Sequence, residues 1–496
     1  MWSISMLVVL VMYAFAANAA DFEDGTSICD KCTCMVEKNS ATTLSYDFLD
    51  CSRSNLFHML NNWPERFETN NPQREIVFSL SGNDIIQLQQ LPPTSAILVF
   101  SCRHCKLDSL ASGVFLDTPN VLRADLSWNK LDGDALSSDI FRGPYNAEEN
   151  HAILSLDVLD LGNNMITHLN DDTFKYVTSL SHLSLANNAL GQLSDSTAVA
   201  LKQLIRIKYL DLSYASLTEI DSEIFVDMHD LQELFLQGNR LTVIPDAVLH
   251  TTSLIVLNIG ENPISTLSID KPLDTLLHLN ISSMTMLNSI NVDTFQNVKM
   301  LRSLTSRNNT GLEVFDLTVL KHVANLQELD LSQSNLKHLI PPKDTYDSST
   351  NRNELDNYTN YLEVLLLDQN PWHCDCDLQY VLERIGLKLD SEEESRCETP
   401  NMLISLHLSD LLYIDVCDVV IHETTKSSVY EKPAFLRPRA IFLTLLSVGI
   451  VVGVGIVIGL IIVCLKRRLK DNGVGFASPV RYTSVRESTT SAVYQL

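Results

Sequence analysis

The sequence predicts an α/β solenoid, a curved stack of short strand-and-turn units with a parallel sheet on its inner face. A cysteine-rich cap closes each end, and one transmembrane helix follows. Three observations predict this. Leucine and asparagine recur in register from Asn83 to Asn370, cysteines cluster on both sides of that array, and a single uncharged apolar run lies near the C-terminus.

The stretch "LDVLDLGNNMITHL", residues 156–169, shows the repeating unit. The alternation in "LDVLDL" suits a half-buried strand, because successive side chains on a strand point to opposite faces. The asparagines that follow break the strand. Written as L-x-x-L-x-L-x-x-N-x-L, the asparagine position falls at Asn83, Cys105, Asn129, Asn164, Asn188, Ala215, Asn239, Asn262, Met284, Asn309, Ser334 and Asn370. These are twelve units, spaced 22 to 36 residues apart. Each is read as a short strand whose leucines face inward, with the asparagine side chain satisfying backbone groups at the turn. Stacking then buries one continuous core over residues 71–370.

The ends of the chain set the compartment. Residues 1–20 combine an apolar run from Met6 to Ala17 with the small residues "ANAA", the pattern of a cleaved signal peptide, although no Lys or Arg precedes the run. Residues 440–465 carry no charge and are followed at once by "KRRLK". About 25 residues give roughly 38 Å of helix, enough to cross a hydrocarbon core of about 30 Å. The basic cluster of Lys466, Arg467, Arg468 and Lys470 places the C-terminus in the cytoplasm. A single-pass type I protein of the plasma membrane is expected, with the N-terminus outside, a juxtamembrane stalk over 419–439 and a cytoplasmic tail over 466–496. Gly449-x-x-x-Gly453 and Gly455-x-x-x-Gly459 are spaced for close helix approach, so a homodimer through these glycines is one expectation. Cys464, at the inner end of the helix, is a candidate for palmitoylation.

The formal net charge is −25, and the tail is basic. From Lys466 onward there are six basic and two acidic residues, which leaves 30 basic and 59 acidic before it, a balance of about −29. Such a surface excludes nucleic acid and anionic lipid as partners and favours a basic protein surface.

Upstream of the array lie Cys29-x-x-Cys32-x-Cys34 and Cys51; downstream, "NPWHCDCDLQYVLERIG" supplies Cys374 and Cys376, with Cys397 and Cys417 after it. Solenoid ends expose their core and need such caps. Four cysteines allow three connectivities in each cap, and Cys-x-x-Cys is also a zinc spacing, although secretion favours disulfides. With these motifs the chain resembles the extracellular leucine-rich-repeat family, over roughly residues 29 to 417. The resemblance implies caps at 21–70 and 371–418 and the pairings Cys29–Cys34, Cys32–Cys51, Cys374–Cys397 and Cys376–Cys417. Cys102 and Cys105 fall on inward positions of the second unit, and either buried thiols or a local bridge suits them.

Function is expected where side chains are presented freely, at the non-leucine strand positions of the concave face. The aromatic residues read there are Trp128, Tyr209, Tyr214 and Phe235, residue types that anchor protein interfaces. Asp125, Asp160, Asp211 and Asp330 stand between the inward leucines beside them, where a solvated acidic column is the alternative to a binding site. Asn280, Asn308 and Asn357 head glycosylation sequons. Sugars on the first two would obstruct the later repeats and direct a partner toward repeats three to seven. Two polar insertions, residues 133–150 and 341–360, interrupt the period.

No nucleophile motif, phosphate-cradling loop or metal-binding histidine pair is present, so no catalytic activity, metal or cofactor is expected. The tail is too short for a signalling domain. Tyr482-Thr-Ser-Val485 fits a tyrosine-based endocytosis signal, and Tyr494-Gln-Leu496 suits strand addition to a PDZ-type adaptor. The expected function is cell-surface recognition or adhesion by a glycoprotein that binds an extracellular protein partner. A co-receptor or ligand-sequestering regulator is the alternative, and a passive surface coat a third. Homophilic adhesion is opposed by repulsion between two ectodomains of like charge.

Overall fold

The computed structural model describes residues 27–38, 45–146, 150–342, 354–385 and 395–417, all within a compact unit that ends at Asp418. The expected signal peptide, stalk, transmembrane helix with its glycine pairs, Cys464 and the tail signals at Tyr482, Val485, Tyr494 and Leu496 lie outside these residues.

Each repeat contributes one strand to a sheet of 14. The strand Thr33–Lys38 runs antiparallel to Ser45–Asp50, and from there every neighbour is parallel, in chain order, to Val364–Leu366. In a typical repeat only three residues are extended, and the middle one is a leucine: Leu159, Leu183, Leu210, Leu234, Leu257, Leu279, Leu304 and Leu329 are all buried. They lie in direct register from strand to strand, so each leucine packs on its counterpart above and below. Full burial of such a side chain contributes about 1.5–3 kcal/mol, an upper bound for a compact unfolded chain. No single repeat closes this core alone, which is why the array is continuous.

The return segments complete the core with phenylalanines. Phe115, Phe141, Phe174, Phe225 and Phe295 are fully buried, mostly from turn conformations rather than helices. One α-helical return segment follows Asn188, where Asp195–Lys202 is capped by Ser194, whose hydroxyl accepts from the Thr197 amide. Asn188 and Ala215 are 27 residues apart, against 22 to 25 for most units, and the longer return segment has room for the helix. The first insertion forms the antiparallel pair Tyr145–Asn146 and Asn150–His151, and the second carries the helix Glu354–Thr359.

At the asparagine positions the side chain bridges two repeats. Asn188 donates to the carbonyls of Leu161 and Leu185 at 3.0 and 2.9 Å and accepts from the Ile166 amide at 3.0 Å. Asn83, Asn164, Asn239, Asn262, Asn309 and Asn370 repeat the arrangement. The residue just before this position is left-handed in all twelve units, from Gly82 (φ 76°) to Gln369 (φ 54°).

In the first cap Cys29 is bonded to Cys34 and Cys32 to Cys51. Behind them Arg74 and Asp47, both almost fully buried, form an ion pair, and Asp47 also accepts from the Glu68 amide at 2.9 Å. In the last cap Cys374 is bonded to Cys397 and Cys376 to Cys417. The helix Cys376–Ile385 supplies Gln379, whose amide nitrogen donates to the carbonyls of Leu411 and Ile414 and whose oxygen accepts from the Val416 amide. Trp372, fully buried, donates to the Leu367 carbonyl and seals the last repeat. Cys102 and Cys105 are bonded to each other inside the second repeat, both fully buried.

Candidate protein interface on the concave face

The strand residues on either side of each buried leucine face the concavity. Tyr209 and Phe235 lie there, with ring centroids 5.1 Å apart. His182, the register partner of Tyr209, extends the row, its ring stacked on the tyrosine at 5.8 Å and 22°. Parallel register lays His182 on Tyr209, and Phe235, the register partner of Asp211, reaches Tyr209 diagonally from the next strand, so three rings meet from residues up to 53 positions apart in the chain.

Trp128 and Tyr214 are placed differently from the expectation. They stand just past the strands, in the turn before the asparagine position, with φ of 60° and 52°. A strand residue has its direction fixed by the pleat; these two project instead along the strand-exit edge. Trp128 packs against His104 at 4.9 Å, with the Arg103 guanidinium 5.8 Å from its ring centre. The Tyr214 hydroxyl donates to Glu261 at 2.8 Å, two repeats farther on.

The aspartates have a structural duty. Asp125, Asp160 and Asp211 each accept from the backbone amide two residues later, Ser127, Gly162 and Ser213, at 3.0, 2.8 and 2.9 Å. Asp330, Asn258 and Asn280 make the same bond. This turn contact explains the recurrence of short polar side chains after the central leucine. It leaves the charge unneutralised: among the described residues no lysine or arginine forms an ion pair with Asp125, Asp160 or Asp211.

Asp125 and Asp160 are direct register partners, and Ser184 stands between Asp160 and Asp211. Burial holds the Asp160 carboxyl above the usual range, and the neighbouring carboxylates of Asp125 and Asp211 push the same way, against the Gly162 amide and the Arg103 charge. Burial also pushes the Tyr209 phenol up to about 12, with Asp211, Glu233 and Asp160 adding to the effect. Both shifts report a partly dry, negatively charged face.

Asp330 occupies the same column but is buried, remote from the aromatic row. Of the sequons, Asn280 is half-buried in the strand His278–Asn280, Asn308 is exposed at φ 58° with its amide donating to Ser283, and Asn357 lies in the helix Glu354–Thr359. His182, His104, Arg103 and Glu261 were not among the residues read from the sequence. Aligning the repeats in columns is the signal that finds them, since His182 shares its column with Tyr209. No group of three or more His, Cys, Asp or Glu among the described residues is arranged to hold a metal ion.

The family model described as leucine rich repeat matches residues 155–207 and 192–241, which include the aromatic row. Residues 155–241 are thus similar in sequence to leucine-rich repeats. The same asparagine-bridged turn recurs outside that span, from Asn83 to Asn370. Tsukushi from Gallus gallus is 27% identical over 193 residues, 38% of this chain and 50% of that protein. Leucine-rich repeat-containing protein 3B from Homo sapiens is 32% identical over 132 residues, 26% of this chain and 44% of that protein. The chain spans about half the length of the curated relatives it matches. Among solved structures, a chain of the octameric complex of Latrophilin 3, Unc5D and FLRT2 aligns with a TM-score of 0.44 at 19% identity, covering 77% of this chain and 96% of its own. A chain of the Toll–Spatzle complex aligns with a TM-score of 0.47 at 19% identity, covering 72% of this chain and 53% of its own.

Proposed function

We propose that this leucine-rich-repeat chain is a cell-surface recognition or adhesion glycoprotein, anchored by one transmembrane helix, that binds an extracellular protein through its concave face. The observation that carries the reading is the row His182, Tyr209 and Phe235 on an open sheet face, flanked by carboxylates without ion-pair partners. Aromatic side chains supply large rigid contact area and dominate the energetics of protein interfaces. An open curved sheet of this kind suits a macromolecule, because small-molecule sites are enclosed clefts. Five disulfides support passage through an oxidising compartment.

A cell-mixing assay tests the reading. Cells expressing the full-length chain in one colour are mixed with non-expressing cells in another, with Trp128→Ala and Tyr209→Ala alongside. Clusters of expressing cells alone are expected for homophilic adhesion and mixed clusters for a heterophilic partner, with either lost in both variants. Absence of aggregation, with the protein confirmed at the surface, overturns adhesion for those cells and transfers the assignment to a co-receptor that binds a soluble factor.

A further inference from the structure

The turn before each asparagine position requires a left-handed residue, a conformation that Gly and Asn adopt at little cost and other residues at about 1–2 kcal/mol. Gly82, Asn163, Asn187, Gly238 and Asn308 fill it in that way. The other seven units place His104, Trp128, Tyr214, Glu261, Ser283, Gln333 and Gln369 there, and of these Trp128 and Tyr214 are the large hydrophobic residues, 44% and 41% exposed. Exposed aromatic side chains of this size are the residue types that anchor protein interfaces. Trp128 and Tyr214 therefore bracket a stretch of sheet that the rest of the described chain leaves uncovered.

The charge of that stretch selects its occupant. Between the two rings run Asp125, Asp160 and Asp211, and Glu233 stands beside Tyr209 in register. The cations Arg103 and Arg123 lie toward the Trp128 end, Arg103 already held over the indole. Two strand spacings separate Asp160 from Asp211, about 9.6 Å. In a polyproline II segment, residues three apart share one face and lie about 9.3 Å from each other.

We propose that the face from Trp128 to Phe235 docks an extended basic segment of a partner protein. Cationic side chains three residues apart meet Asp160 and Asp211, and their aliphatic stems lie on Tyr209 and Phe235. The proposal rests on the reading that the concave face recognises protein. It excludes a second copy of this chain as the occupant, because the same acidic face would oppose it.

The probe is a nine-residue peptide of three Arg-Pro-Pro units, with the Glu-Pro-Pro counterpart as the charge-reversed control, titrated against the purified full-length chain. The arginine peptide is expected to bind at 50 mM salt and to weaken at least tenfold at 500 mM, as surface charge pairs do under screening. The double variant Asp160→Asn/Asp211→Asn is expected to weaken binding about tenfold. The control Asp227→Asn/Asp230→Asn removes two exposed charges outside the concave strands and is expected to change binding less than twofold. No preference for arginine over glutamate, or equal losses in the two double variants, overturns the proposal. The mixing assay separates the two readings: if Trp128→Ala abolishes clustering while Asp160→Asn/Asp211→Asn leaves it intact at every salt concentration, the concave interface stands and the basic segment falls. If neither variant affects clustering, both fall.

Discussion

The ring of Tyr214 occupies the space that a side chain at Gly238 would need: a Cβ built on Gly238 would lie 2.2 Å from the ring carbons Cδ1 and Cε1. Gly238 is also left-handed, with φ 70°. Gly238→Ala is therefore expected to destabilise the fold by about 1–2 kcal/mol from the backbone alone. It should also push the ring away from Glu261, to which its hydroxyl donates. The check is thermal melting together with partner binding. Binding lost beyond the effect on stability places Tyr214 in the interface, whereas unchanged binding in the folded variant removes it.

Tyr209 gives a pH-dependent signature of the same face. Its phenol is pushed up to about 12 in the folded chain, above the ordinary value of 10.0. The folded state thus holds the phenolic proton more tightly than the unfolded state. That contribution is complete below pH 10 and is lost as pH rises toward 12. After discounting for the exposed part of the ring it amounts to about 1–2 kcal/mol. Tyr209→Phe cannot ionise, so its melting temperature should fall less steeply than that of the parent between pH 10 and 12. Parallel curves would show that the phenol is not perturbed.

Asp160 reports the opposite side of neutrality. Burial and the Asp125 and Asp211 carboxylates raise its carboxyl, so the folded state holds the proton more tightly than the unfolded chain does. Stability from this group is present in acid and lost as pH rises through the raised value. Asp160→Asn keeps an oxygen for the Gly162 amide and removes the charge. It is expected to melt at a modestly higher temperature than the parent at pH 7, with the difference closing in acid, while binding of a basic peptide weakens. A variant that loses both stability and binding at pH 7 would argue that the carboxylate is structural.

The periodicity of leucine and asparagine made the solenoid legible because a buried strand position and a turn bridge each favour one residue type, the bridge being asparagine in eight of the twelve units. The same recurrence hid the site. Asp125, Asp160 and Asp211 read as a column for binding, yet each closes its own turn through the amide two residues on. Their electrostatic role arises only from register, which sets Asp125 beside Asp160. Trp128 and Tyr214 read as strand residues because the pattern does not encode where three extended residues give way to a left-handed turn. His182 looked like one scattered histidine until parallel pairing laid it on Tyr209. The state of Cys102 and Cys105 was likewise open, since spacing alone fits a bridge or two thiols.

The units that break the asparagine rule show how a neighbour compensates. Ala215 stands where the side-chain amide is missing, so the amides of Ala215 and Leu217 both turn to Asn239 Oδ1, at 3.0 and 2.9 Å. Asn239 also donates to the carbonyls of Leu212 and Leu236. The Ala215 and Leu217 amides and the Leu212 carbonyl thus depend on one side chain, whereas the Leu236 carbonyl also accepts from Asn262 at 2.9 Å. Leaving a buried polar group without a partner costs about 1–3 kcal/mol. Asn239→Ala is expected to destabilise by about 2–4 kcal/mol, because Ala215 has no side-chain amide to take over these bonds and Asn262 serves only the Leu236 carbonyl among them. Ala215→Asn in that background should recover part of the loss by restoring a bridge one repeat earlier. Chemical denaturation of the parent, the single variant and the double variant measures both effects. Equal stability of the parent and Asn239→Ala would show that water replaces the bridge.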